Sequence, residues 1–475
     1  MNKMILTVLI STTFLSGCTM IPDFDTPKSP VESEWPQGQA YLDLGSAERG
    51  SIRNVTWQEF FRSPNLQKII QTSLDNNRDL RIAALNVEQA RQLYRVQRAD
   101  LLPTIDALGS GTRQNIPENA AALQGEGIQS QYSANIGTTN YEIDIFGRIR
   151  SLNAQALEEY LATEEAQKSV KISLIAEVAN AYLVYLADQK LLALTEDTLT
   201  AQQKSFDVIN KSFELGVGNK LDVSQAAQSV ETARANHAVY LRLVAQDKNA
   251  LLLLMGISTE GDLLQGETLD QIQFAENLPV GLPSDVLLER PDIRQAEHGL
   301  LAANANIGAA RANFFPTISL TGSAGLASQS LSDLFKSGSG LAWNFSPSVS
   351  LPIFTGGRNI ANLGVSQATR DIRVAEYEKA IQVAFREISD ELAARGTYTN
   401  QLKAQQALAQ AAQDAYRLSQ ARYDQGIENY LNVLDAQRSL YAAQQTEITV
   451  SQQRLSNLVT LYKVLGGGLD QQAKK

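Results

Sequence analysis

One half of this chain repeats the other at an offset of about 210 residues. Asp79-Leu80-Arg81-Ile82-Ala83 returns as Asp292-Ile293-Arg294-Gln295-Ala296, and Arg98-Ala99-Asp100-Leu101-Leu102-Pro103-Thr104-Ile105 as Arg311-Ala312-Asn313-Phe314-Phe315-Pro316-Thr317-Ile318. Ile145-Phe146-Gly147-Arg148 returns as Ile353-Phe354-Thr355-Gly356-Gly357-Arg358, and Leu215 to Val223 as Gln425 to Val433. Four matches in the same order make two copies of one unit. The period far exceeds the roughly 20–50 residues of solenoid repeats, so the copies are halves of one pseudo-symmetric architecture, and function is expected on the axis between them.

A chain of 475 residues would ordinarily suggest about three domains; the duplication favours two interleaved halves. A net charge of −10 speaks against nucleic acid, because little in the chain would neutralise phosphates. Two histidines and one cysteine leave little for metal ligation or imidazole catalysis, and no Gly-x-x-x-x-Gly-Lys-Ser/Thr loop offers a nucleotide site. No enzyme, cofactor or metal is expected.

The single cysteine, Cys18, follows Lys3, a mostly apolar stretch from Met4 to Leu15, and Leu15-Ser16-Gly17. Residues 1–17 have the charge and apolar stretch of a secretory signal, and their end resembles a bacterial lipobox. That resemblance implies cleavage before Cys18 and acylation of its thiol and amine; a plain signal or a retained anchor is the alternative. At about 0.8 kcal/mol per buried methylene, three acyl chains would hold firmly. Thr19 after the cysteine favours delivery to the outer membrane, by the same resemblance. Beyond the signal no unbroken run of about eighteen apolar residues occurs, so no helix is expected to cross a bilayer, and any crossing would use strands.

Residues 18–62, with prolines at 22, 27, 30 and 36, read as a lead-in over the body. The first repeat, 63–256, opens with a helix from Ser63 to Leu102, stopped by Pro103, and carries a hairpin at 104–146. Residues 149–214 then contain neither proline nor glycine, a helix of about 100 Å at 1.5 Å per residue. A glycine turn and a return helix from Leu221 to Met255 follow. A connector, 257–284, leads to the second repeat, 285–465, with its hairpin at 317–354, long helix at 359–425, turn at Gly426 and return helix at 431–465. Residues 466–475 read as a loose tail.

The second hairpin shows its character best. Ile318, Leu320, Ala324 and Leu326 alternate with Ser319, Thr321 and Ser323, and Trp343, Phe345 and Val349 with Asn344, Ser346 and Ser348. Period two with an apolar and a small polar face, over about ten residues, fits a membrane barrel strand. A soluble hairpin would look much the same locally. Four strands cannot close a barrel, since membrane barrels begin at about eight; two copies would fill the interior with side chains and three leave a lumen.

Together these features resemble the TolC-like outer-membrane efflux channels, in their lipidated OprM-like branch. The most specific pieces are Arg290-Pro291-Asp292-Ile293-Arg294-Gln295-Ala296-Glu297, the pairs Leu102-Pro103 and Phe315-Pro316, and Gly426 to Ala436. The fold implied is mainly α with membrane β: a homotrimer whose chains, internally duplicated, give four strands each to a β-barrel and long helices to an α-barrel tunnel. The duct would be passive, joined by a periplasmic adaptor to an inner-membrane transporter and seated in outer-membrane lipid.

The resemblance also implies site residues. The glycine turns would form the periplasmic end, where Phe213, Leu215, Gly216, Val217, Tyr423, Gly426 and Ile427 would meet the adaptor. Asp222 and Asp435, with Tyr423, would narrow a periplasmic gate. Three copies of each carboxylate would make an acidic ring favouring cations. Asn432 stands where many members carry a second acid, and Glu428 where some carry a bracing arginine, so the bonds of this gate differ. Otherwise Asp222 and Asp435 are early-turn acids complementing the helix dipole. Drug or toxic-compound export leads the functional readings, ahead of protein secretion or a non-conducting structural lipoprotein.

Overall fold

The computed structural model describes residues 19–41, 55–117, 127–275, 278, 280–281, 283–336 and 340–468. Cys18, the 1–17 segment and residues 469–475 of the tail lie outside the described residues. Helices α1 (Trp57–Phe60), α2 (Pro64–Asn76) and α3 (Arg78–Ala99) precede strands β1 (Asp106–Ile116) and β2 (Gly127–Ile143). Helices α4 (Arg148–Glu214), α5 (Lys220–Met255), α6 (Pro283–Leu287) and α7 (Pro291–Ala312) follow, then β3 (Thr317–Ser328), β4 (Gly340–Ser350), α8 (Arg358–Asp424) and α9 (Tyr430–Val464). The duplication is explicit: α4 and α8 each run 67 residues, α3 and α7 each 22.

The expected helix over Ser63–Leu102 is two. Asn77 between α2 and α3 has extended backbone, ψ 133°. Its Oδ1 accepts the Leu80 amide at 3.0 Å, capping α3, while its Nδ2 donates to the Leu254 carbonyl near the end of α5 at 3.0 Å. Asn77 corresponds to Arg290 in the repeat, whose Nη1 donates to the Val464 carbonyl at the end of α9 at 2.8 Å. Each half thus ties the start of its short helix to the end of its return helix. Arg290, with a side chain 10% exposed, also pairs with Asp292 at 2.6 Å and Glu387 at 2.9 Å.

The strands form one antiparallel sheet in the order β1-β2-β3-β4. Its central pair, β2 with β3, joins the two repeats. Polar rungs such as Ser110–Ser133 and Ser319–Ser348, each 2.8 Å between hydroxyl oxygens, mark one face. Ile318 opposite Val349 and Ala324 opposite Trp343 mark the other. Strands β1 and β4 are edges, which hydrocarbon cannot satisfy.

Two compact units divide the described chain. One gathers residues up to Pro27 with Val87–Thr163 and Ala296–Tyr377, and holds the sheet. Within it the start of the lead-in lies on α7: Asn304 donates to the Pro22 carbonyl at 2.9 Å and Arg311 to that of Met20 at 3.3 Å. The other gathers Lys28–Asn86, Glu164–Gln295 and residues from Glu378 onward. Its core includes Phe60 stacked on Tyr462 at 4.2 Å and on Phe274 at 5.4 Å. One stretch of α4 is apolar enough to cross a membrane by length and composition, but 61% of it is buried. Ile175, Val178, Tyr182 and Leu186 there pack inside the protein. His237 pairs with Glu196 at 3.3 Å and His298 with Glu158 at 2.6 Å. Among the described residues no group of His, Cys, Asp or Glu is arranged to hold a metal.

Candidate functional site

Both long helices end in the same turn. At the end of α4 the amides of Val217 and Gly218 donate to the Ser212 carbonyl at 3.0 and 3.1 Å, and that of Gly216 to Phe213 at 2.9 Å. At the end of α8, Ile427 donates to Arg422 at 3.0 Å and Gly426 to Tyr423 at 2.8 Å. Gly216 and Gly426 have φ of 78° and 70°, the left-handed conformation that closes such a turn and favours glycine. Asn219 and Asn429 then cap the return helices, their Oδ1 accepting the amides of Asp222 at 2.8 Å and Asn432 at 3.3 Å.

An apolar cluster joins the two turns. Ile209 of α4, Val223 and Ala226 of α5, and Tyr430, Val433 and Leu434 of α9 are buried together, with Phe206, Tyr416 and Tyr423 packed against them. The rings of Tyr423 and Tyr430 lie 5.4 Å apart. Burial, followed by the neighbouring Tyr423 and Tyr416 and the Asp222 charge, pushes the Tyr430 phenol up to about 12. Burial and then Asp222 raise that of Tyr423 as well. Tyr416, Tyr430 and the cluster itself escaped the sequence reading, although Tyr416 and Tyr423, seven residues apart on α8, carry a helical-seam signal.

The expected gate residues fall into three environments within one chain. Asp222 lies beside the tyrosines, and its Oδ2 accepts from Asn219 Nδ2 at 2.7 Å. Glu428 pairs with Arg422 at 3.2 Å and accepts from Asn432 Nδ2 at 2.9 Å. Asp435 stands apart, exposed, 3.9 Å from Arg438. The first turn of α9 contains no acid, whereas Asp222 is in the first turn of α5, so the dipole reading applies to Asp222 alone. Around the turns apolar side chains face outward: Leu215 is 71% exposed, Val217 82% and Ile427 65%. Phe213 is also exposed, with Lys220 Nζ 5.5 Å from its ring centre.

A sheet with two open edges, carried on 67-residue helices, defines the chain as one part of a multi-chain membrane channel. The family model for outer membrane efflux protein matches it twice, over residues 69–257 and 282–467, and the chain belongs to that family. It is 51% identical over 473 residues to the toluene efflux pump outer membrane protein TtgC of Pseudomonas putida, covering 98% of this chain and 96% of the relative. The antibiotic efflux pump outer membrane protein ArpC of Pseudomonas putida matches with the same identity and coverage. Among solved structures, the open state of the MtrE outer membrane channel of Neisseria gonorrhoeae superposes with a TM-score of 0.86 at 38% identity, covering 96% of this chain and all of that one. The fold is that of the TolC-like homotrimeric channels, a β-barrel of four strands per chain joined to a tunnel of long helices, and the chain is an outer-membrane efflux channel.

Proposed function

We propose that three copies form a passive duct that exports small, largely apolar toxic compounds from periplasm to exterior, as the outer-membrane part of a tripartite pump. The sheet's two open edges carry this reading, because β1 and β4 find partners only in neighbouring copies. Relatives named for toluene and antibiotic efflux support the substrate class. Energy comes from an inner-membrane transporter, linked by a periplasmic adaptor. The exposed apolar residues Leu215, Val217 and Ile427, with Phe213, Gly216 and Gly426 shaping the turns, are the adaptor's contact. Lipidation of Cys18 anchors the lead-in.

Near those turns, Asp222 with Tyr423 and Asp435 with Arg438 narrow the duct, and the Arg422–Glu428–Asn432 network stiffens one turn. Single-channel recording tests this. Asp222→Ala combined with Asp435→Ala should weaken cation preference and block by divalent cations, whereas Glu376→Ala, a control whose wild-type side chain pairs with Arg373, should not. Wild-type selectivity and block in the double variant would remove both acids from the constriction.

A further inference from the structure

The four strands hold three charged residues, Asp106, Arg113 and Glu142, and Arg113 is their only cation. The register fixes its side of the sheet. Opposed residues share a face, and residues two apart along a strand return to it. Arg113 opposes Ser130, and Ala134, four residues further along β2, opposes Leu326, which in turn opposes Leu341. Arg113 therefore stands on the face of Ala134, Leu326, Leu341 and Trp343, the lipid face of the barrel.

The repeat fixes its height. Thr104-Ile105 aligns with Thr317-Ile318, which makes Arg113 the counterpart of Leu326, each nine residues past the aligned threonine. At about 3.3 Å per residue and a tilt of about 40°, that is about 23 Å across a lipid-facing band about 25 Å tall. The cation thus sits at the outer interface, just beyond the level of Trp343, which opposes Ala324. Charge on the lipid face is costly at mid-membrane and tolerated at this level. No carboxylate of the described residues forms an ion pair with Arg113. One row below on the same face, the Tyr132 ring covers Gly111 so closely that a Cβ there would lie 3.1 Å from it, giving an apolar seat beside the guanidinium.

We propose that Arg113 binds the phosphate of an outer-leaflet lipid headgroup, one site per subunit. A guanidinium fork matches phosphate oxygens two at a time, and a cation that faces the headgroup layer with no ion-pair partner among the described residues has anions as its natural partners. The inference rests on the reading of the sheet as a membrane barrel. Native mass spectrometry of the detergent-purified trimer, titrated with bis-phosphorylated lipid A, tests it. Wild type should bind up to three lipids. Arg113→Gln should bind about tenfold more weakly, and Arg113→Lys should fall between the two. Adding Leu326→Arg to Arg113→Gln, which returns the cation at the same height, should restore binding. Equal affinity in wild type and Arg113→Gln, or displacement of the lipid by a matching excess of inorganic phosphate, would overturn the assignment. Conductance of Arg113→Gln in planar bilayers should equal that of wild type. Failure of wild type to form a trimer or conduct would instead refute the channel reading.

Discussion

The cluster joining the two turns makes a quantitative prediction for Tyr430→Ala. Tyr430 is 5% exposed, packs with residues of all four helices meeting there, and has the Tyr423 ring 5.4 Å away. Truncating a buried aromatic to alanine costs about 3–5 kcal/mol, and the lost ring pair places this site toward the upper part of that range. If the loss falls on local opening of the turns, amide exchange around residues 209–226 and 423–434 should accelerate about a thousandfold to a few thousandfold. Deuterium exchange read by mass spectrometry measures this peptide by peptide. Because the cluster holds the two turns to each other, single-channel conductance should rise in the same variant. Tyr430→Phe separates packing from the hydroxyl. The phenol is pushed up to about 12 and stays neutral at ordinary pH, so its loss should leave both readouts near wild type. Wild-type exchange and conductance in Tyr430→Ala would mean that the cluster does not hold the turns closed.

Two further outcomes follow from other parts of the structure. Burial, then the neighbouring Asp247, pushes the Asp188 carboxyl up to about 6, and burial raises Asp247 as well. Tyr185, Tyr240, Lys248 and Glu260 are the other titratable groups around the pair. A carboxyl with a raised folded pKa adds stability that is full below its unfolded value near 3.8 and is lost as pH rises through about 6. The thermal midpoint should therefore fall between pH 4 and 7, and Asp247→Asn should flatten that slope; an unchanged slope would sink the paired-carboxyl account. Gly256→Ala should destabilise more than Gly216→Ala in thermal unfolding. Both glycines have positive φ, but a Cβ at Gly256 would lie 2.4 Å from the Asn76 carbonyl oxygen, while at Gly216 it would meet nothing within 4 Å. Equal losses would show that backbone conformation alone sets the cost.

Local chemistry wrote much of the fold into the sequence. The first long helix was legible because proline and glycine are absent from residues 149–214 and return only at the turn, where a left-handed residue is needed; α8, which contains Gly364 and Gly396, was legible through its place in the repeat. Strands β3 and β4 were legible from period-two alternation, which a sheet with two unlike faces imposes. The duplication gave the pairing of α4 with α8 and of the two turns before any contact was seen.

What remained hidden depends on partners far away in the chain. Nothing near Asn77 forbids a helix, since asparagine is only mildly unfavourable there. Its break is decided by the Leu254 carbonyl, 177 residues distant. Asp222 and Asp435 looked alike as early acids on return helices, but packing sets one beside Tyr423 and the other beside Arg438. Arg113 sits in a stretch, Gly109 to Asn115, that is small and polar on both sides of the strand, so alternation could not say which way it faces. Only the register with β2, and through it β3, assigns it to the lipid side. Backbone conformation answers mainly to neighbours in sequence, while a polar side chain's environment answers to whatever the fold brings against it. The sequence alone thus determined the repeated helices, turns and hairpins; the tertiary structure decided which charges meet, which stand alone and which face the membrane.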